Sequence, residues 1–295
     1  MEERINQMRL KWAAGDAKRD AGVVDPENIR RFTDIAYGPF SENLLDVYCP
    51  EGTQGLLPTI ISIHGGGWFY GSKELYSHYC LRLAARGFTV VNFDYRLAPQ
   101  YKYPAPVEDC CNVLEWILHH GEQYHIDRNN LFLVGDSAGG QLAFQLLTML
   151  TNDKYNAMFP FRAPKEISFR ACALNCGCYF IPVSRMVPPK KANILFEAYL
   201  PEDYLPCVPT LKAHKYITRN FPPAIVMTAQ NDYLKLMAPP LHMMLRLKGV
   251  KSMLRIYGEK SNKDIGHVFH LKCHLDLAAQ CNDEQCDFFR AHMSK

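Results

Sequence analysis

The chain has 295 residues, 48% of them hydrophobic, which is enough to bury one substantial core and predicts a single domain. Its 33 basic and 30 acidic residues leave a formal net charge of +3 with no long run of one sign, which argues against nucleic acid as a partner, because phosphate binding needs a concentrated basic footprint. No stretch offers the roughly 20 uninterrupted apolar residues of a membrane-spanning helix, and Met1 to Asp20 carries five basic residues but no signal-peptide core, so a soluble cytoplasmic protein without membrane insertion is expected.

The 11 cysteines are odd in number, show no C-x-x-C pattern and in places sit inside apolar runs, as Cys172 does. Buried reduced thiols explain them better than a disulfide framework, with Cys110-Cys111 and Cys281/Cys286 leaving room for one bridge.

In chain order, Ile5, Met8 and Trp12 recur at helical spacing among charged neighbours, with Leu10 off that face, and predict a cap helix within residues 1–30. Residues 32–37 and 44–48 read as two β-like runs about a Gly38-Pro39 turn, an antiparallel hairpin. The period then changes. Residues 59–63 and 88–93 are short and nearly all apolar, as strands buried on both faces of a parallel sheet should be, and a helix over 77–86 separates them, ending at Gly87. The alternation continues with a helix over 107–120, a strand over 131–134 and a helix over 138–150. Strands over 171–174, 224–228 and 252–257 follow, with a helix over 236–248 before the last, and a final helix closes the chain. Repeated alternation implies an open, mostly parallel central sheet flanked by helices. Residues 151–166 and 181–221 break the rhythm. The second is too long for an ordinary connection and reads as a lid or substrate-pocket insertion with a short helix over 192–199, a segment that could also mediate self-association.

Gly135-Asp136-Ser137-Ala138-Gly139 fits G-x-S-x-G between an apolar strand and a helix. In that context a sharp turn lifts the serine hydroxyl above the sheet, and small neighbours avoid collision. His64-Gly65-Gly66-Gly67-Trp68 directly follows a buried strand, where glycines let backbone N–H groups approach a developing oxyanion, and Gly66, Gly67 and Ala138 are the candidate donors. A phosphate-holding loop would need G-K-[ST] or G-x-G-x-x-G, and neither is present.

These two motifs, together with Asp94-Tyr95-Arg96-Leu97-Ala98-Pro99, resemble the hormone-sensitive-lipase-like family of α/β-hydrolase esterases. The resemblance runs from about Leu44 to the C-terminal helix. It implies the α/β-hydrolase fold, with a small lid built from the N-terminal helix and the insertion, and carboxylester hydrolysis with no metal or organic cofactor. In this fold a serine, an acid and a histidine follow in chain order. Ser137 is the candidate nucleophile. Asp232, in the loop after the strand ending at Thr228, is the candidate acid, its Asp232-Tyr233-Leu234 matching the family's acid loop; Asp203 lies too early and Asp264 lacks a post-strand position. His267 is the candidate base, with His270 and His274 as decoys, although Val268 stands where the family usually has glycine. His267, His270 and His274 at helical spacing raise a metal site only at the cost of leaving the serine and glycine motifs unexplained. Asp136 is expected to hold the elbow by local hydrogen bonds, with Tyr95, Arg96, Glu108 and Asp109 behind the site, and Trp68, Phe69 and Tyr70 belong either to the substrate pocket or to the core.

The expected function is hydrolysis of short-chain acyl esters, acetyl to butyryl, through an acyl-enzyme on a small-molecule substrate, including deacetylation of acetylated metabolites or sugars. An amidase or arylformamidase with the same triad is the alternative, and a non-catalytic small-molecule receptor on the same fold is a third.

Overall fold

The computed structural model describes residues 1–184 and 193–294, so positions 185–192 of the predicted insertion, including the expected helix start at Ala192, lie outside the described residues. Helix α1 spans Glu2–Asp20. Its Ile5 is fully buried, Met8 and Trp12 pack against the core, and Leu10 is 73% exposed, as the 3.6-residue spacing predicts.

Strands β1 (Ile29–Ala36) and β2 (Leu44–Pro50) form the antiparallel hairpin. Then follow β3 (Leu57–Ile63), α2 (Lys73–Ala84), β4 (Thr89–Phe93), α3 (Ala105–His120), β5 (Ile126–Asp136) and α4 (Ser137–Thr151). The second half adds β6 (Ala171–Asn175), a short α5 (Ile194–Tyr199), β7 (Ala224–Ala229), α6 (Ala238–Leu247), β8 (Ser252–Tyr257) and α7 (Asp276–Arg290). One eight-stranded sheet runs β1-β2-β4-β3-β5-β6-β7-β8; β2 pairs antiparallel with β1 and β4, and every other pairing is parallel.

The central strands are apolar on successive residues because both faces are covered. Ile61, Ile63, Leu131, Leu133 and Leu174 enter one core cluster beneath α3 and α4, while Ile60, Phe132, Val134, Ala173 and Met227 enter the other beneath α2 and α7. Each large side chain so buried contributes about 1.5–3 kcal/mol, and strand alternation sends successive residues to opposite layers.

Two boundaries differ from expectation. Helix α2 starts at Lys73, four residues before the predicted Ser77, because the buried Lys73 ammonium is paired with Asp34, Asp46 and Glu74 and so tolerates an interior place that its charge alone would forbid. Strand β5 begins at Ile126, since Leu57 and Pro58 pair with Ile126 and Asp127 before a register shift. The break at 151–166 holds a single turn, Asp153–Asn156, capped by Asn152, whose Tyr155 packs on Phe159, and Phe159 in turn on Phe161. All 11 cysteines are free thiols. No helix among the described residues is long and apolar enough to cross a membrane.

Candidate active site

The elements that carry the sequence motifs end on one edge of the sheet. The glycine loop follows β3, Ser137 follows β5, Asp232 follows β7, and the loop carrying His267 follows β8. All are carboxyl ends of parallel strands, where an open α/β sheet gathers its reactive groups.

Ser137 sits at the β5–α4 junction with φ of 52°, in the left-handed region. A side chain there is strained, and the strain turns Oγ out of the strand direction. The packing beneath forbids larger residues: a Cβ on Gly139 would stand 2.1 Å from the Ile63 carbonyl oxygen. His267 bridges the other two groups. Its Nδ1 lies 2.7 Å from Asp232 Oδ1 and its Nε2 lies 3.0 Å from Ser137 Oγ. A carboxylate only accepts, so Nδ1 carries the proton and Nε2 is left to accept from the serine hydroxyl.

Asp232 is fixed by further contacts. Its carboxylate also accepts from the Thr228 hydroxyl at 2.7 Å and the Leu234 N–H at 2.9 Å. Burial pushes the Asp232 carboxyl up, but the hydrogen bond from His267 and that residue's charge, with the Leu234 and Thr228 bonds, outweigh it and hold the group below the ordinary carboxylate range. Tyr233, the next residue, lays its ring against the imidazole with centroids 4.2 Å apart.

The decoys fall elsewhere. Asp203, Asp264 and His274 are exposed. His270 is buried, its Nε2 3.9 Å from Asp136 Oδ1, and burial brings its imidazole down to about 3. The three histidines therefore share no common point. Among the described residues one group could offer three donors to a metal: Cys176, Asp232 and His267, whose ligand atoms lie within 4.8 Å of one another. There the thiol is held protonated by burial and by the Asp232 charge, and His267 Nδ1 is engaged with the carboxylate. Val268, at the family's glycine position, has φ of 49° and ψ of 33°. The loop keeps the left-handed turn that glycine would favour and makes a β-branched residue adopt it.

Ser137 and His267 face a cavity of about 650 Å³, within the range of small-molecule sites, that Gly66, Gly67 and Ala138 also line. Gly66 requires its residue type: φ is 104°, and an added Cβ would fall 2.0 Å from the Tyr70 carbonyl oxygen. Ala138 is the second residue of α4, where helix geometry leaves the N–H without an intrahelical partner.

The aromatic triplet after the glycines divides. Tyr70 lines the cavity and donates to Asp16 of α1 at 2.7 Å. Trp68 touches the cavity but is 99% buried, stacked on Tyr199 at 4.6 Å, with its indole N–H donated to Gln141. Phe69 is corrected to the core: it is fully buried, off the cavity wall and packed on Trp12 at 4.8 Å. Trp68 has φ of 64°, and that left-handed step sends three consecutive side chains in different directions.

Sequence reasoning missed the rest of the wall. Lys11, Trp12, Gly15, Asp16 and Arg19 of α1 line it, as do Asn193, Leu195 and Phe196 from the described part of the insertion. Behind the glycine loop, Arg96 is held by Asp109 at 2.8 Å and Glu108 at 2.6 Å, and Tyr95 donates to the His64 carbonyl at 3.0 Å, the supporting places expected of them.

Comparison with known proteins agrees with this architecture. The profile of the alpha/beta hydrolase fold family matches residues 60–271. A versiconal hemiacetal acetate esterase of Dothistroma septosporum is 34% identical over 166 residues, covering 50% of this chain and 51% of that protein. A gibberellin receptor of Arabidopsis thaliana is 27% identical over 209 residues, covering 65% of this chain and 56% of that protein. The chain thus spans about half the length of these relatives. Inhibited esterase B of Lactobacillus rhamnosis superposes with a TM-score of 0.87 at 25% identity, over 99% of this chain and 96% of that one. With more than half of its length inside the family profile, this chain belongs to the hormone-sensitive-lipase-like family of α/β hydrolases.

Proposed function

We propose that the protein is a serine carboxylesterase acting on short acyl groups, acetyl to butyryl, with Ser137, His267 and Asp232 as its triad. The observation that carries this reading is the imidazole of His267 within hydrogen-bond reach of both partners, at the floor of a glycine-lined cavity.

In the reaction, Ser137 Oγ attacks the ester carbonyl carbon while its proton passes to His267 Nε2. The imidazolium is stabilised by Asp232, and the carbonyl electron pair collects on the oxygen facing the N–H groups of Gly66, Gly67 and Ala138. Collapse of that intermediate breaks the bond to the alcohol, which takes the proton from Nε2, and leaves an acyl-serine. Water then attacks the acyl carbon as one of its protons passes to His267 Nε2, and collapse of that second intermediate breaks the bond to Ser137 Oγ, which takes the proton back as the acid leaves. Preorganised N–H donors at the oxyanion supply the largest share of such catalysis, and losing one costs about 3–4 kcal/mol.

Helix α1 and the insertion act as the cap. They supply part of the cavity wall, and a cavity of about 650 Å³ leaves room for a sizeable alcohol beside a small acyl group. Relatives whose names are acetate esterase and esterase support ester hydrolysis. A fluorophosphonate should label wild-type protein and spare Ser137→Ala. A nitrophenyl ester series should peak between acetyl and butyryl, and a matching amide should turn over far more slowly; a peak at long chains overturns the acyl preference, and faster amide turnover selects the amidase reading. The receptor relative motivates one other reading, ligand binding without chemistry. Ester turnover that disappears in His267→Ala excludes it.

A further inference from the structure

Asp136 and Tyr76 form a buried linkage that the triad does not use. Asp136 is the last residue of β5, directly before the nucleophile, and is 3% exposed. Its Oδ2 accepts from the Tyr76 hydroxyl at 2.8 Å, and that same hydroxyl oxygen accepts from the N–H of Gly65 at 2.8 Å. One hydroxyl therefore ties the nucleophile elbow to the glycine loop. The approach is close enough to exclude any side chain on Gly65, since a Cβ there would stand 2.6 Å from Asp136 Oδ2 and 2.9 Å from the Tyr76 oxygen.

We propose that Tyr76 is a positioning residue for the oxyanion site: by bridging Asp136 to the Gly65 N–H, it fixes the distance and angle between the Ser137 hydroxyl and the N–H groups of Gly66 and Gly67. The inference rests on the reading of those N–H groups as oxyanion donors.

The linkage has the properties such a role requires. Tyr76 comes from α2, an element that carries neither the nucleophile nor the donors, so it sets their relation from outside. Burial and the neighbouring Asp136 charge hold its phenol well above the usual tyrosine range, so it stays a donor at any working pH. The loop is braced on its other side by carbonyl contacts: His64 Nδ1 lies 2.7 Å from the Gly65 carbonyl oxygen, and the Tyr95 hydroxyl donates to the carbonyls of His64 and Gly65. Among the described residues, Tyr76 is the side chain that holds the Gly65 amide. A carbonyl anchor lets a peptide plane rock about its fixed oxygen; adding the amide anchor stops the rocking, and oxyanion donors act through being preorganised.

The test compares wild type, Tyr76→Phe and Asp136→Asn for kcat, KM and the affinity of an alkyl boronic acid, whose boronate adduct on serine mimics the oxyanion. Tyr76→Phe keeps the ring that lines the cavity and removes only the bridge. We expect kcat to fall about tenfold or more, less than the roughly 10²–10³ that loss of a direct donor costs, with KM within about twofold and boronate affinity falling in parallel with kcat/KM. Asp136→Asn weakens the acceptor end of the bridge and should lower kcat and boronate affinity together, by less than Tyr76→Phe does, and it carries the test if Tyr76→Phe does not fold, unchanged kcat and boronate affinity then overturning the proposal. Tyr76→Phe with wild-type kcat and boronate affinity overturns the proposal, as does Asp136→Asn matching Ser137→Ala while folded. Wild-type protein without Ser137-dependent ester turnover overturns instead the reading of the site on which the proposal rests, so the two failures are distinct.

Discussion

The two walls of the cavity are built by different means. The triad wall is made of strand ends and tight turns whose geometry is set by backbone: the parallel register of β3, β5, β6 and β7, a left-handed Ser137 and close-packed glycines. The other wall is made of α1 with Asn193, Leu195 and Phe196, and α1 is held by a few side chains. Ile5 and Trp12 pack inward, Arg9 donates to the carbonyls of Phe69 and Ala98 at 2.8 and 2.9 Å, and Arg19 donates to that of Leu75 at 3.1 Å. Under the proposed function, chemistry falls to the part that cannot shift without breaking the sheet, and recognition to a helix whose contacts can be exchanged one at a time.

The largest effect should separate the walls outright. Ser137→Ala or His267→Ala is expected to lower kcat by roughly 10⁴-fold or more with little change in the thermal melt, and a residual rate within tenfold of wild type would contradict the triad. Asp232→Asn should cost up to about 10⁴-fold, because an amide that replaces the carboxylate can fix the wrong imidazole tautomer. On the other wall, Trp12→Ala should raise KM severalfold while kcat stays within about threefold; a dominant loss in kcat would mean that α1 takes part in the chemistry.

The layer beneath the triad predicts smaller effects. Burial brings the imidazoles of His64 and His270 down to about 4 and 3, so between pH 6.5 and those values the unfolded chain binds more protons than the folded one, and their contribution to stability is lost as pH falls. Burial pushes Asp136 up to about 7, which acts in the opposite sense and is common to wild type and to a His270→Gln variant. The gap in melting temperature between those two proteins should therefore narrow from pH 7 to pH 5; a constant gap would show that His270 charges freely in the fold. The smallest effect is at Val268. Substitution by glycine removes a left-handed penalty of about 1–2 kcal/mol and adds back about half of it in chain entropy, for a melting temperature higher by about 2 °C.

The same contrast explains what could be read from the sequence. Strands over 59–63, 88–93 and 224–228 were legible because burial on both faces leaves them continuously apolar, and the Gly66-Gly67 loop and the Ser137 elbow because their turns admit only small residues. Helix α1 was legible as an amphipathic helix, but which of its polar residues would face the cavity was not, since Lys11, Asp16 and Arg19 look like any solvated face until the partner wall is known. The sequence leaves Phe69 open between pocket and core because the direction of its side chain depends on the φ of Trp68, which no residue pattern encodes. Tyr76 left no signal at all. It is one aromatic on the inner face of an ordinary helix, and its function depends on a hydroxyl meeting residues 11 and 60 positions away.

The most direct test of the account is to mix the protein with an activated short-chain ester, quench in acid within the first turnovers, and locate the acyl group by mass spectrometry. The account predicts one acyl group per chain, on the peptide containing Ser137, lost in Ser137→Ala. Turnover with the acyl group on another residue, or undiminished turnover in Ser137→Ala, would contradict it.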